Sequence, residues 1–146
     1  MSYKQLIDDH DEIDRLTREL DVVANAAHPD PASASEVLLS LATAVREHLA
    51  HEDRTIYSRL TNGKRRPPGT PEIDFEAAFQ ELSDDWQTYL SDWNLDLLAC
   101  DWPSFVAETA AMMARLRIRV RDETNLIYPL AMQQGLIGLR SDPQLP

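Results

Sequence analysis

Apolar residues recur along the chain at three- and four-residue intervals, which is the spacing of one face of an α-helix. The first run, from about Tyr3 to Ala27, ends where the segment HPDPAS interrupts it. Its seam comprises Leu6, His10, Ile13, Leu16, Leu20 and Val23. A second run begins near Ser33, where Ser33 and Glu36 have the spacing of a capping box, and it ends by Asn62-Gly63.

Two further helices are predicted in the second half of the chain. The third begins with Thr70 as its N-cap and Pro71 at its first helical position, and it ends around Cys100-Asp101. The fourth begins near Pro103 and ends before Gly135. The apolar seam of the third helix includes Phe75, Phe79, Leu82, Trp86, Tyr89, Trp93 and Leu97. The apolar seam of the fourth helix includes Phe105, Met112, Leu116, Val120, Ile127 and Leu130.

No alternating β-branched run of useful length predicts a strand. The pattern therefore favours an all-α fold, an up-down-up-down antiparallel four-helix bundle over residues 1–135, with more than two thirds of all residues helical. Residues 136–146 are predicted to form an irregular tail, partly mobile. The segment from Gly63 to Pro71 is predicted to be the longest interior loop.

Composition narrows the class of protein. The 146 residues fit one domain, and the single cysteine, Cys100, excludes an intrachain disulfide. Neither an apolar leader core nor the ~20 apolar residues of a membrane span are found, so we expect a cytoplasmic protein. A formal net charge of -11 argues against nucleic-acid and anionic-membrane partners, although the run Lys64-Arg65-Arg66 is basic.

His48 and Glu52 lie one helical turn apart on the apolar seam of the second predicted helix, where polar groups need partners. Imidazole and carboxylate bind iron, zinc or manganese, and this spacing points both side chains at one ion. His10 and Glu123 occupy seam positions on two other helices. For His10 taken alone, the alternative interpretation is a core or seam-edge histidine whose ring nitrogens are hydrogen-bonded within the protein.

An internal repeat supports this grouping. Residues 45–57 (VREHLAHEDRTIY) align with residues 116–128 (LRIRVRDETNLIY), which pairs Glu52 with Glu123 and Tyr57 with Tyr128. Residues 6–13 (LIDDHDEI) align with residues 82–89 (LSDDWQTY). His48 then falls on Arg119 and His10 falls on Trp86. The chain is interpreted as a helix pair followed by a diverged copy.

These residues resemble the hemerythrin-like HHE cation-binding domains. The family pattern is an H-x-x-I helix followed by an H-x-x-x-E helix, repeated, and the first copy here is His10 to Ile13 with His48 to Glu52. The resemblance spans residues 3–132 and includes the LIYP segment ending at Pro129. It implies an up-down four-helix bundle that holds two irons, bound by the histidines of the two halves and bridged by the two acids.

The second half departs from the family pattern, because Trp86 and Arg119 stand where two histidines would be. We therefore predict at most one ion per chain, iron or another divalent metal, held by His10, His48, Glu52 and Glu123. Arg119 is predicted to offer its guanidinium to both carboxylates, in place of the missing cation, and Trp86 to fill the remaining volume. His51 lies one residue off the seam and is interpreted as a solvated side chain or one that contacts a ligand, rather than as a ligand itself. Asp85, next to the seam, is a minor ligand candidate.

Several functions fit these residues. The first is a cation-binding protein with a reduced, one-metal centre, acting in iron or oxygen/redox sensing or handling rather than in oxygen carriage. The second is a metal-free bundle that acts as a regulatory or protein-interaction module, with Arg119 replacing the metal charge. An enzyme is not favoured, since no serine or cysteine nucleophile has a visible base. The sequence leaves open the protein partner and the oligomeric state.

Overall fold

The computed structural model describes residues 2–57, 59 and 75–139. This part of the chain is almost entirely helical, which confirms the all-α prediction and the predicted helix content. The long helices are α1 (Tyr3–Ala24), α2 (Pro31–Glu52), α3 (Phe75–Asp92) and α5 (Trp102–Asp122). The short elements are α4 (Leu95–Cys100), α6 (Tyr128–Gln133) and two π-helical turns, π1 (Asp53–Tyr57) and π2 (Glu123–Ile127).

Helix α1 packs against both α2 and α5. A short connection, residues 25–30, joins the end of α1 to the start of α2, and His10 early in α1 lies beside His48 late in α2. The two helices therefore run antiparallel. His10 also contacts Thr124, just beyond α5, while Asp21 late in α1 pairs with Arg117, so α1 and α5 are antiparallel as well.

Helices α3 and α5 also run in opposite directions. Tyr89 of α3 contacts Thr109 of α5, and Asp85, one turn earlier, pairs with Arg115, which lies later in α5. The long helices are thus packed as antiparallel neighbours, consistent with a helical bundle. The up-down order of a complete four-helix bundle stays a prediction.

The helix starts show which residues satisfy the free backbone N–H groups. Ser2 and Gln5 form a reciprocal capping box at the start of α1. At the start of α2 the predicted capping box on Ser33 is wrong. Asp30 is the N-cap, and its carboxylate accepts the N–H of Ser33 at 3.1 Å because Pro31 occupies the first helical position. Helix α1 ends at Ala24, three residues before the predicted Ala27.

The third predicted helix is divided in the structure. It breaks at Trp93 and Asn94, and the Asn94 side chain caps α4 by accepting the N–H of Leu97 at 3.0 Å. The prediction of one helix continuing to Cys100 is therefore wrong. The predicted start at Thr70, the predicted loop from Gly63 to Pro71 and the predicted end of the second helix at Asn62-Gly63 lie outside the described residues.

The last helix ends where the sequence predicts. Gly135 has φ +73°, a conformation that favours glycine, and Leu136 donates its N–H back to the carbonyl of Ala131 at 2.9 Å. The chain then returns to the start of α1, where Tyr3 donates its N–H to the Gly138 carbonyl at 2.7 Å. The boundary predicted at residue 135 stays a prediction, and residues 140–146 lie outside the described residues.

Two apolar clusters form the interior of the part of the chain that the structure describes, and a polar layer separates them. The larger cluster joins α1, α2, α3, α4 and α5 and includes Ile13, Val45, Trp86 and Leu116. The smaller one contains Leu6, Ile56, Tyr57, Ile127, Tyr128, Ala131 and Ile137. His10 lies on α1 between Leu6 and Ile13, so its layer is covered on both sides. None of the described helices combines the length and apolar character that a membrane span requires.

Candidate metal centre

The polar layer brings together four side chains from three segments of the chain. His10 comes from α1, His48 and Glu52 from α2, and Glu123 from the first position of π2. Each offers a ligand atom, and these atoms all lie within 4.8 Å of one another. None of the four residues is more than 4% exposed. These are the four residues that the sequence predicts to lie together.

The two imidazoles are oriented by partners on their outer nitrogens. His48 Nδ1 lies 3.0 Å from Asp9 Oδ2, a carboxylate oxygen that accepts the Nδ1–H. His10 Nδ1 lies 3.2 Å from the Thr124 hydroxyl, which already donates its own hydrogen to the Val120 carbonyl at 3.0 Å and so accepts from the ring. In the neutral form of each ring, the Nε2 lone pair would therefore face the interior.

The inner atoms of this layer are mostly acceptors. The two Nε2 atoms are 3.1 Å apart, and Glu123 Oε1 lies 3.2 Å from that of His10 and 3.6 Å from that of His48. Glu52 Oε1 contacts His48 Nε2 and lies 3.9 Å from His10 Nε2. Glu52 Oε2 is buried, and no described residue gives it a hydrogen bond. Without an added proton or cation, these lone pairs oppose one another.

Two tyrosines close the site in a crossed arrangement. Tyr57, which follows Glu52, donates its hydroxyl to Glu123 Oε2 at 2.8 Å. Tyr128, which follows Glu123, has its hydroxyl 2.7 Å from Glu52 Oε1. Each half of the repeat thus supplies a phenol to the carboxylate of the other half. The repeat alignment paired these tyrosines, but the sequence reasoning did not assign them to the site.

The π-helical turns explain how the tyrosines reach the site. In an α-helix, residues five apart differ by about 140° around the axis, which would turn Tyr57 away from the face of Glu52. A π-helical turn has i to i+5 hydrogen bonds, which bring residues five apart close to the same face. The turn π1 runs from the residue after Glu52 to Tyr57, and π2 runs from Glu123 to the residue before Tyr128. A pattern based on α-helical periodicity cannot predict this.

Arg119 and Trp86 lie beside the four side chains. Both line a cavity of about 30 Å³ that His48 and Glu123 also line. Arg119 lies with Nε 3.8 Å from Glu123 Oε2, donates from its terminal nitrogen to the Tyr57 hydroxyl, and covers the Tyr57 ring with its guanidinium 4.9 Å from the centroid. These contacts differ from the predicted arrangement, in which the guanidinium donates hydrogen bonds to the carboxylates of both Glu52 and Glu123. The guanidinium acts on Glu123 at ion-pair distance and through the Tyr57 hydroxyl.

The buried groups hold protons when no metal competes for them. Burial lowers the pKa of His48, but hydrogen bonds to Asp9 and the two glutamates outweigh this and raise it to about 11. Burial and the nearby Glu123 charge raise the pKa of Glu52 to about 8. Burial also opposes ionisation of Glu123, yet hydrogen bonds from its neighbours hold its pKa well below the usual range. A metal must therefore displace protons from this layer.

Three other polar residues from the sequence analysis lie outside the layer. Asp85 pairs with Arg115 at 2.7 Å on the surface, where its side chain is 48% exposed, so it does not join the four side chains. His51 is partly exposed and is not among the clustered residues. Asp9 lies in the repeat segment 6–13 but was not assigned to the site, yet its carboxylate is only 33% exposed and accepts the Nδ1–H of His48. The sequence signal that could have identified Asp9 was its position next to His10, a histidine on the apolar seam.

Comparison with known proteins was made for the whole chain. Residues 1–131 match the family model described as the hemerythrin HHE cation-binding domain. A search of curated proteins and a search of solved structures each returned no match. The family match covers nearly the whole described fold, including both histidines, both glutamates and both π-helical turns. The chain belongs to the hemerythrin HHE cation-binding domain family.

Proposed function

We propose that this protein binds one metal ion, iron, between His10, His48, Glu52 and Glu123. The observation that carries the proposal is the pair of Nε2 lone pairs, 3.1 Å apart, that face each other in a buried layer with two carboxylates. Two nitrogens bound to a common ion at about 2.1 Å and at tetrahedral or octahedral angles are about 3.0 to 3.4 Å apart. The spacing thus suits a shared cation.

The donor set and its surroundings also fit a cation. Two imidazoles and two carboxylates are a common set for non-haem iron and related divalent metals. Outer partners orient both imidazoles, which is typical of metal-ligating histidines. The buried Glu52 Oε2 has no hydrogen-bond partner among the described residues, so a cation would also give this oxygen a partner.

The surroundings support one ion rather than two. An indole N–H only donates hydrogen bonds, and a guanidinium is cationic, so Trp86 and Arg119 cannot replace two histidine ligands. Arg119 also places a positive charge next to Glu123, which disfavours a second cation there.

A bound iron ion would supply one-electron redox chemistry inside the bundle. The chain's own residues cover the ion with two apolar layers, orient its imidazole ligands and hold its carboxylates with phenol groups. We propose a role in iron or oxygen/redox sensing or handling, in the cytoplasm, rather than oxygen carriage or enzymatic catalysis. This role rests on a one-ion centre, and we propose that the four long helices follow the up-down order of the family.

Metal analysis tests the proposal. Protein purified without chelator and reloaded with ferrous ion under anaerobic conditions is expected to retain up to one iron per chain after desalting. Inductively coupled plasma mass spectrometry together with a protein assay gives this ratio. Two irons per chain would contradict the one-ion centre, and no retained metal of any kind would contradict the proposal itself.

The metal-free interaction module remains a second candidate because Arg119 already pairs with Glu123 and Tyr57. In that case a protonated His48 and the guanidinium together balance the two acids. The metal analysis separates the candidates, since the second predicts no iron or other metal after reloading.

A further inference from the structure

The hydroxyl of Tyr128 lies among the atoms proposed to bind the ion. Its oxygen is 2.7 Å from Glu52 Oε1, 2.8 Å from His10 Nε2 and 3.3 Å from His48 Nε2. The Tyr128 residue is fully buried, and its ring stacks on His10 with centroids 5.1 Å apart. The phenol oxygen therefore lies inside the ligand cluster.

In the deprotonated layer that a bound metal requires, one hydrogen atom cannot satisfy the contacts of this oxygen. The Tyr128 hydroxyl has a single hydrogen, while the three neighbouring atoms are then a carboxylate oxygen and two imidazole nitrogens whose remaining hydrogens lie on the opposite side of each ring. At most one of the three receives that hydrogen. A cation in place of the hydrogen attracts the phenol oxygen and all three neighbours at once.

Tyr57, the equivalent residue of the first half, is in a different environment. Its hydroxyl donates to Glu123 Oε2 and accepts a hydrogen bond from Arg119. The guanidinium also lies over the Tyr57 ring. A cation is repelled by the guanidinium at this oxygen, so the two repeat-related tyrosines are not equivalent toward a metal.

We propose that Tyr128 is a fifth ligand of the ion and binds it as a phenolate. This proposal rests on the proposed metal centre. On binding, the Tyr128 O–H bond breaks, the proton is released to solvent, and the oxygen lone pair forms the bond to the metal. The phenolate and the carboxylates of Glu52 and Glu123 then carry three negative charges, which balance a trivalent ion. The ligand set therefore favours ferric iron over a divalent ion.

Visible spectroscopy tests the phenolate directly, because a phenolate bound to ferric iron has a charge-transfer band that imidazole and carboxylate ligands do not give. The wild-type protein, Tyr128→Phe and the control Tyr89→Phe, whose hydroxyl contacts Thr109 away from the site, are loaded with ferric nitrilotriacetate, desalted, and assayed for iron content, visible absorption and resonance Raman scattering. We expect a visible band with phenolate Raman modes in the wild type and in Tyr89→Phe. In Tyr128→Phe the band is lost while circular dichroism still shows a helical fold.

A further variant covers the case in which Tyr128→Phe does not fold. The chain has four tyrosines, so replacing Tyr3, Tyr57 and Tyr89 with phenylalanine leaves only Tyr128, and the iron-loaded variant is expected to keep the band. Loss of the band in that variant, or its persistence in Tyr128→Phe, overturns the assignment. An iron-loaded wild type without the band also overturns it but leaves the metal centre intact, whereas absence of iron from the wild type overturns both proposals.

Discussion

Replacing His48 with alanine is expected to abolish iron retention, with a loss of affinity of more than about 100-fold. His48 supplies one of two imidazole nitrogens, and its ring also connects the ion to Asp9. Alanine removes the ligand, and the carboxylates of Glu52 and Glu123 lose their contacts with the His48 ring. Competition with a coloured iron chelator measures the affinity, and iron analysis measures the retained ion.

His51→Ala is the matched control for this substitution. His51 lies one turn beyond His48 on the same helix but does not belong to the buried cluster. We expect this variant to retain iron as the parent does. Equal iron content in His48→Ala and the parent would show that the ion binds elsewhere.

Arg119→Met is expected to destabilise the metal-free protein by about 3 kcal/mol, because it removes the cation beside a buried carboxylate. The guanidinium side chain is only 12% exposed, and it contacts both Glu123 and the Tyr57 hydroxyl. Methionine has a similar length, so packing changes little. For a chain of this size the loss corresponds to a decrease in melting temperature of roughly 10 °C. Thermal unfolding at neutral pH in the presence of a chelator measures it.

Arg121→Met controls for the loss of one positive charge on the same helix, since Arg121 is exposed. Its melting temperature should stay close to that of the parent. The iron-loaded Arg119→Met protein should lose less stability than the metal-free one, because the ion supplies part of the missing charge. An unchanged melting temperature in metal-free Arg119→Met would show that Arg119 does not stabilise the acids.

The location of the candidate site was predictable because a polar residue on an apolar seam is costly unless it has partners. His10, His48, Glu52 and Glu123 each interrupt such a seam, and the structure buries all four together. Seam positions from different helices of a bundle converge on one interior. For this reason the spacing identified neighbours that are more than 100 residues apart in the chain.

The supporting groups were less predictable, because they depend on local geometry that departs from the α-helix. Tyr57 and Tyr128 reach the site only through the π-helical turns that follow Glu52 and Glu123. Asp9 lies one position from a seam residue, and only the packing of α2 on α1 shows that its carboxylate meets His48. The mixed contacts of Arg119 likewise depend on where the Tyr57 hydroxyl lies.

The helix boundaries were also only partly predictable from the sequence. Trp93 and Leu97 continue the apolar spacing of α3, so the seam gave no sign of the break at Asn94. Asn94 is a strong N-cap residue, and its side chain stabilises a new helix start at that point. At α2, Asp30 rather than the predicted Ser33 is the N-cap, and Pro31 occupies the first helical position. Local capping chemistry, rather than hydrophobic periodicity, sets these ends.

Anomalous X-ray diffraction from crystals of the iron-loaded protein, collected on both sides of the iron absorption edge, tests the central claim most directly. We predict one iron peak per chain, located between the Nε2 atoms of His10 and His48 and the carboxylates of Glu52 and Glu123. No second peak is expected in the cavity beside Trp86 and Arg119. Two peaks per chain, or a single peak away from these four side chains, would contradict the one-ion centre.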